Sequence, residues 1–129
     1  MKNLILILAL TTLMSCTTDH EPNLNSQLSG KWKWVESSGG IDGRTETPLT
    51  TGNEKSIEFS SNSIKTYVNG ILESELSYEI QQDESIRTMD KTDLIVYEDG
   101  RKQSIEINEN DLILFDECYD CFQNEYIKE

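Results

Sequence analysis

The chain has 129 residues, with 24 acidic side chains against 11 basic ones and a formal net charge of −13. That length excludes two-domain enzymes and TIM barrels and leaves a single domain. So acidic a chain is repelled by phosphate backbones, which excludes nucleic acid as a partner.

Met1–Ser15 begins with the positive charge of Lys2 and continues into an unbroken apolar run, Leu4–Leu10. The run is far shorter than the roughly 20 residues that span a bilayer. A short apolar stretch behind a positive end is the pattern of an export signal peptide. The next residues, Leu13-Met14-Ser15-Cys16, resemble the lipobox of bacterial lipoproteins. That resemblance implies cleavage before Cys16 and attachment of a diacylglycerol to its thiol. Each buried methylene contributes about 0.8 kcal/mol, so several acyl chains hold a protein firmly in a membrane. Residues 16–27 are polar apart from Pro22 and Leu24 and read as a flexible tether between the signal (1–15) and a folded domain (28–129). Thr17 departs from the Asp of the inner-membrane retention signal. Asp19 and Glu21 resemble the acidic export signal of Bacteroidetes lipoproteins. Together they imply residence at the outer membrane, on its periplasmic face or at the cell surface.

Beyond Leu28 the pattern has period two, the signature of half-buried strands. Lys31–Ser37 alternates Trp32 and Trp34 with Lys31 and Lys33. Gly39–Asn53 is rich in Gly and Thr and reads as a long loop. Lys55–Ser60 places Ile57 and Phe59 on one face, and Ser63–Asn69 places Ile64, Thr66 and Val68 on one side. Asn69-Gly70 is a hairpin turn, because both residues tolerate positive φ. Ile71–Ile80 alternates Leu72, Ser74, Leu76, Tyr78 and Ile80 with acidic and Ser residues. Gln81–Thr92 reads as a loop or one helical turn. Asp93–Glu98 leads into a second hairpin at Asp99-Gly100, followed by Arg101–Ile107, Asp111–Asp116 and Phe122–Lys128.

These segments make eight strands joined mostly by tight turns, and no segment has an amphipathic helical stripe of ten or more residues. Eight antiparallel strands are enough to close on themselves, which removes the two open edges of a flat sheet. The expected architecture is therefore an all-β, antiparallel, eight-stranded up-and-down barrel; an open β-sandwich is the alternative. Gly30-Lys31-Trp32 on the first strand resembles the G-x-W start of lipocalins. Small Bacteroidetes lipoproteins with a lipocalin-like domain are similar over Leu28–Lys128, with a Gly-rich loop after the first strand and a closing strand carrying Tyr126. The resemblance implies that Trp32 plugs the barrel floor and that a small apolar ligand is held inside. The chain departs from the family in three places. It offers Lys128 where lipocalins place an Arg over the Trp, it has only Thr92-Asp93 to match the T-D-x loop motif, and it lacks a long carboxy-terminal helix.

Acylation of Cys16 would leave Cys118 and Cys121. Outside the cytoplasm such a pair forms a disulfide, which is the expected state. Free thiols, redox chemistry and metal binding are the alternatives. Redox duty needs a depressed thiol pKa, and the neighbouring Asp116, Glu117 and Asp120 work against it. Zinc needs two more ligands, and the only histidine, His20, lies in the tether. Ca²⁺ on the acidic turn would need about six oxygens, and no EF-hand pattern exists.

No G-x-S-x-G, P-loop or H-E-x-x-H motif is present, and the domain has no histidine for a catalytic pair, so no catalytic residue, cofactor or metal is expected. The aromatic set either fills the core or lines a cavity. In the second case Trp34, Phe59, Thr66, Ser74 and Tyr78 are the lining candidates, since barrel mouths favour apolar pockets with a few placed polar groups. Two functions follow: binding of a small apolar or amphipathic molecule, or contact with another protein through a filled barrel.

Overall fold

The computed structural model describes residues 23–129. The signal peptide, Cys16, His20 and the tether up to Pro22 lie outside the described residues. The sequence periodicity yields nine strands: β1 (Gly30–Gly39), β2 (Arg44–Glu46), β3 (Lys55–Phe59), β4 (Ser63–Val68), β5 (Ile71–Glu84), β6 (Lys91–Tyr97), β7 (Lys102–Asn108), β8 (Asp111–Asp116) and β9 (Phe122–Lys128). Two single-turn helices accompany them, α1 (Leu24–Leu28) and α2 (Pro48–Thr51). Strands β1 and β3–β9 pair antiparallel in sequence order, and β9 returns to pair with β1. The result is a closed eight-stranded up-and-down barrel rather than a sandwich. Short β2 is an addition to it, paired with Ser37–Gly39 on the edge of β1 that β3 leaves free.

Turn chemistry sets the register. Asn69 and Gly70 both take positive φ, 51° and 78°, as a two-residue hairpin requires. The β6–β7 turn is longer than the Asp99-Gly100 pair. Tyr97 N–H donates to the Arg101 carbonyl, and only Gly100 has positive φ, so three residues make the loop.

The interior is one cluster built from Leu28, Trp32, Ile57, Phe59, Ile64, Tyr78, Ile95, Tyr97, Leu112 and Leu114. Trp32 and Trp34 share a face, as period two demands, and both are buried. The end of the barrel that holds Trp32 is closed by α1. Leu28 is buried in the core and Leu24 packs against it, so the last residues of the expected tether are folded. The reason is local. Asn23 caps the helix by accepting from Asn25 N–H, and its two Leu residues fall on the side facing the core. Trp32 Nε1 donates to the Leu28 carbonyl at 2.7 Å, which ties α1 to the barrel.

Three further segments depart from the sequence reading. The Gly39–Asn53 loop contains β2 and α2. The α2 turn is closed by a capping box between Thr47 and Thr50. The Gln81–Thr92 segment is mostly strand, because β5 continues to Glu84 and β6 begins at Lys91. What remains, Ser85–Asp90, folds back over the outside of the barrel. Leu94, Ser104 and Phe115 are cross-strand neighbours on the outer face of β6, β7 and β8. Ser85 and Leu94 are nevertheless fully buried, and the Arg87 guanidinium lies 3.8 Å from the Phe115 ring centre. This cover explains why Leu112–Phe115 is apolar on both faces.

Candidate functional site

The barrel interior is nearly full. Phe59 and Tyr78 meet edge to face with centroids 5.4 Å apart, and the Tyr78 hydroxyl donates to the Ser60 carbonyl at 2.6 Å. Both rings therefore belong to the packed wall. A cavity of about 120 Å³ remains. Ile57, Ile64, Leu76 and Leu114 form its apolar side, and Thr66, Tyr97, Arg101, Gln103 and Tyr126 its polar side. Pockets for drug-sized ligands measure about 300–1,000 Å³, so this one takes a few waters or a small group.

The five lining candidates are distributed unequally. Thr66 faces the cavity. Trp34 is buried to one side of it, where its Nε1 donates to Ser37 Oγ at 2.8 Å, Ser37 Oγ bonds Asn124 at 2.6 Å, and the Lys55 ammonium sits 4.5 Å over the ring. Phe59 and Tyr78 are wall, and Tyr78 also borders an open surface cleft of about 400 Å³ with Val96 and Tyr97 of β6. Ser74 is exposed and lines no part of the cavity. Trp32 sits beneath α1, with the Lys128 ammonium 4.3 Å from its ring centre. Lys128 Nζ also donates to the carbonyls of Gln27 and Ser29, so one cation covers the Trp and ties down the chain entering β1.

Apart from Thr66, the hydrogen-bonded network on the polar side of the cavity was not legible in the sequence. Tyr97 hydroxyl bonds Gln103, and Gln103 Nε2 donates to Asp116 Oδ1 at 2.7 Å. Burial pushes the Tyr97 and Tyr126 hydroxyls far above the ordinary tyrosine range, and nearby Asp116 pushes the same way. Both stay neutral when folded. Raised acid pKa values favour the folded state only while the unfolded tyrosines are also protonated. Stability should therefore be complete below the ordinary tyrosine pKa of 10 and fall as pH rises beyond it, read as denaturation midpoint against pH. Equal midpoints at pH 9 and about pH 11 would show the hydroxyls exposed. Period two could have placed Tyr97 beside Ile95, and Gln103 beside Ile105 and Ile107. The bond between Tyr97 and Gln103 depends on the three-residue turn.

A second polar centre holds the outer cover. Glu117 accepts from Ser85 Oγ and from Ile86 N–H, both at 2.7 Å. Arg87 pairs with Glu106 at 3.2 Å. Cys118 and Cys121 form a disulfide immediately after Glu117, with Cα atoms 5.6 Å apart. Replacing Glu117 with Ala strands two donors and should cost about 1–3 kcal/mol. Amide exchange should quicken across Ser85–Asp90 before it does in β6. Unchanged exchange there would show that the cover is held by Arg87 alone.

Cations are largely committed to structure. Lys31, Arg44, Lys55, Arg87, Arg101 and Lys128 each lie over an aromatic ring. Arg101, the one cation lining the cavity, also pairs with Asp99 at 2.8 Å. Among the described residues no group of three or more His, Cys, Asp or Glu side chains could hold a metal ion. No described helix is long and apolar enough to cross a membrane. The chain matches no protein-family model, no curated protein and no solved structure.

Proposed function

We propose that this protein is a non-enzymatic, lipid-anchored outer-membrane lipoprotein whose lipocalin-like barrel is a filled scaffold for contact with another protein. The observation that carries this reading is the interior, where the cavity among the packed aromatics measures about 120 Å³. The placement of exposed apolar residues supports it. Ile41 and Leu49, 94% and 93% exposed, lie in the loops between β1 and β3, and Tyr119, 83% exposed, lies in the disulfide loop. Alternation of turns in an up-and-down barrel puts these loops at the end opposite α1. Cys16 precedes α1 in sequence, so on this reading the apolar tips belong to the end of the barrel away from the anchored side.

Native mass spectrometry of protein purified from its own membrane tests the reading. The expected species is acylated chain free of small molecules, alone or with a protein partner. A stoichiometric small molecule in place of a partner would overturn it. That outcome belongs to the second reading, a bound amphipathic molecule. The cavity's apolar and polar sides favour it, and titration with a fluorescent fatty acid would register it. The anchor has its own test. Cys16→Ala should move the protein from the membrane to the soluble fraction or leave the precursor uncut. Fully processed, membrane-bound Cys16→Ala protein would remove the lipid from the proposal.

A further inference from the structure

A closed barrel has no free edges, yet this one leaves part of β5 unpaired. Strand β5 pairs with β4 over Ile71–Ser77 and with β6 only from Tyr78 onward. On its β6 side, Ile71–Ser77 therefore has no neighbouring strand. The hydrogen-bonding sense of each residue follows from two bonds. Tyr78 N–H donates to the Asn62 carbonyl on the β4 side, whereas the Ser77 carbonyl accepts from Glu98 N–H on the other. Backbone groups alternate along an antiparallel strand, so Glu75 N–H, Glu75 C=O and Ser77 N–H face the free side. The register slip in the β4–β5 ladder lies beyond Ser74 and leaves this assignment intact.

We propose that the Ile71–Ser77 edge is a docking surface for an extended, basic segment of a partner protein, added as a further strand where β6 stops. The proposal rests on the interaction-module reading and names its surface. Main-chain bonds to Glu75 and Ser77 supply the pairing, and side chains supply the selection. Ile71 and Leu72, 70% and 49% exposed, offer apolar contact at the start of the edge. Glu73, Glu75, Glu79 and Glu98 line it with negative charge, and all four are exposed. Of the cations nearby, Arg101 pairs with Asp99, and Lys65 stands directly across from Glu75 on β4, which leaves the other three carboxylates to carry most of the negative charge. Charged residues on an edge also prevent self-pairing. Two copies of this edge would set Glu against Glu, which is destabilising, whereas a Lys-bearing strand is attracted.

The test uses the full chain, a ten-residue peptide alternating Lys and Val, and its counterpart alternating Glu and Val. Hydrogen exchange at saturating Lys-Val peptide should slow the amides of Glu75 and Ser77 and leave the β7–β8 ladder unchanged. Glu73→Lys combined with Glu75→Lys should weaken the Lys-Val peptide at least about tenfold and turn the preference toward the Glu-Val peptide. Both substitutions sit on exposed positions, so folding is retained and is checked by melting. Glu75→Pro removes a free edge N–H together with one carboxylate and should abolish protection at the remaining Ser77 amide, whereas Glu75→Gln, which removes the charge alone, should weaken binding and keep that protection at saturating peptide. Absence of protection at 71–77, equal binding of both peptides, or self-association in place of peptide binding would each overturn the edge proposal. Protection elsewhere on the barrel would overturn the edge and leave the interaction-module reading in place. That reading falls instead to a small molecule in the native mass spectrum.

Discussion

Trp32→Ala should destabilise the barrel by about 3–5 kcal/mol, the usual cost of truncating a buried aromatic. A domain of this size holds roughly 5–15 kcal/mol in total, so the loss removes a large share of it. The indole is fully buried, its Nε1 holds the Leu28 carbonyl at 2.7 Å, and Lys128 lies 4.3 Å above the ring. Removing it opens a hole under α1, frees the helix from the barrel and leaves Lys128 over an empty site. The melting temperature should drop by on the order of 15 °C. Trp34→Phe should be milder, because the ring volume is largely kept and the main loss is one bond to Ser37 at 2.8 Å. A Trp32→Ala protein that melts within a few degrees of the parent would show that α1 and the floor of the barrel are held by something else.

Gly39→Ala should be nearly as costly, for a different reason. Gly39 has φ of +122°, a conformation that residues with a Cβ rarely adopt, and a Cβ there would lie 2.5 Å from the Cys121 carbonyl oxygen. The neighbour is backbone inside a disulfide loop, so it yields poorly. Strain of this kind costs about 1–3 kcal/mol before the clash is counted. The expected result is a loss of stability at or above the top of that range, read from the denaturation midpoint, with faster exchange where β1 pairs with β9. Gly70→Ala provides the contrast. Its φ of +78° carries the conformational cost, but nothing stands within 4 Å of the added atom. Equal midpoints for the two variants would remove the contact with Cys121 from the account.

The barrel was legible from period two because each strand has one wet face and one dry face, and alternation records that difference directly. Trp32 with Trp34, Ile57 with Phe59, and Asn69-Gly70 are local patterns, and local patterns survive without tertiary knowledge. The disulfide was also within reach, since Cys118 and Cys121 are close along the chain. The segments that failed are those whose burial comes from a distant partner. Leu24 and Leu28 are too few to announce a helix, and only the open end beneath Trp32 gives them something to cover. Leu94 and Phe115 face outward, yet Leu94 is buried and Phe115 half-buried because Ser85–Asp90 crosses the sheet, tied by Glu117 from 31 and 32 residues away in sequence. Lys128 covers Trp32 because strand pairing sets it directly opposite. How full the interior is depends on all eight inward faces at once. Each strand carries only its own alternation, so the volume left between them was decided by closure of the barrel.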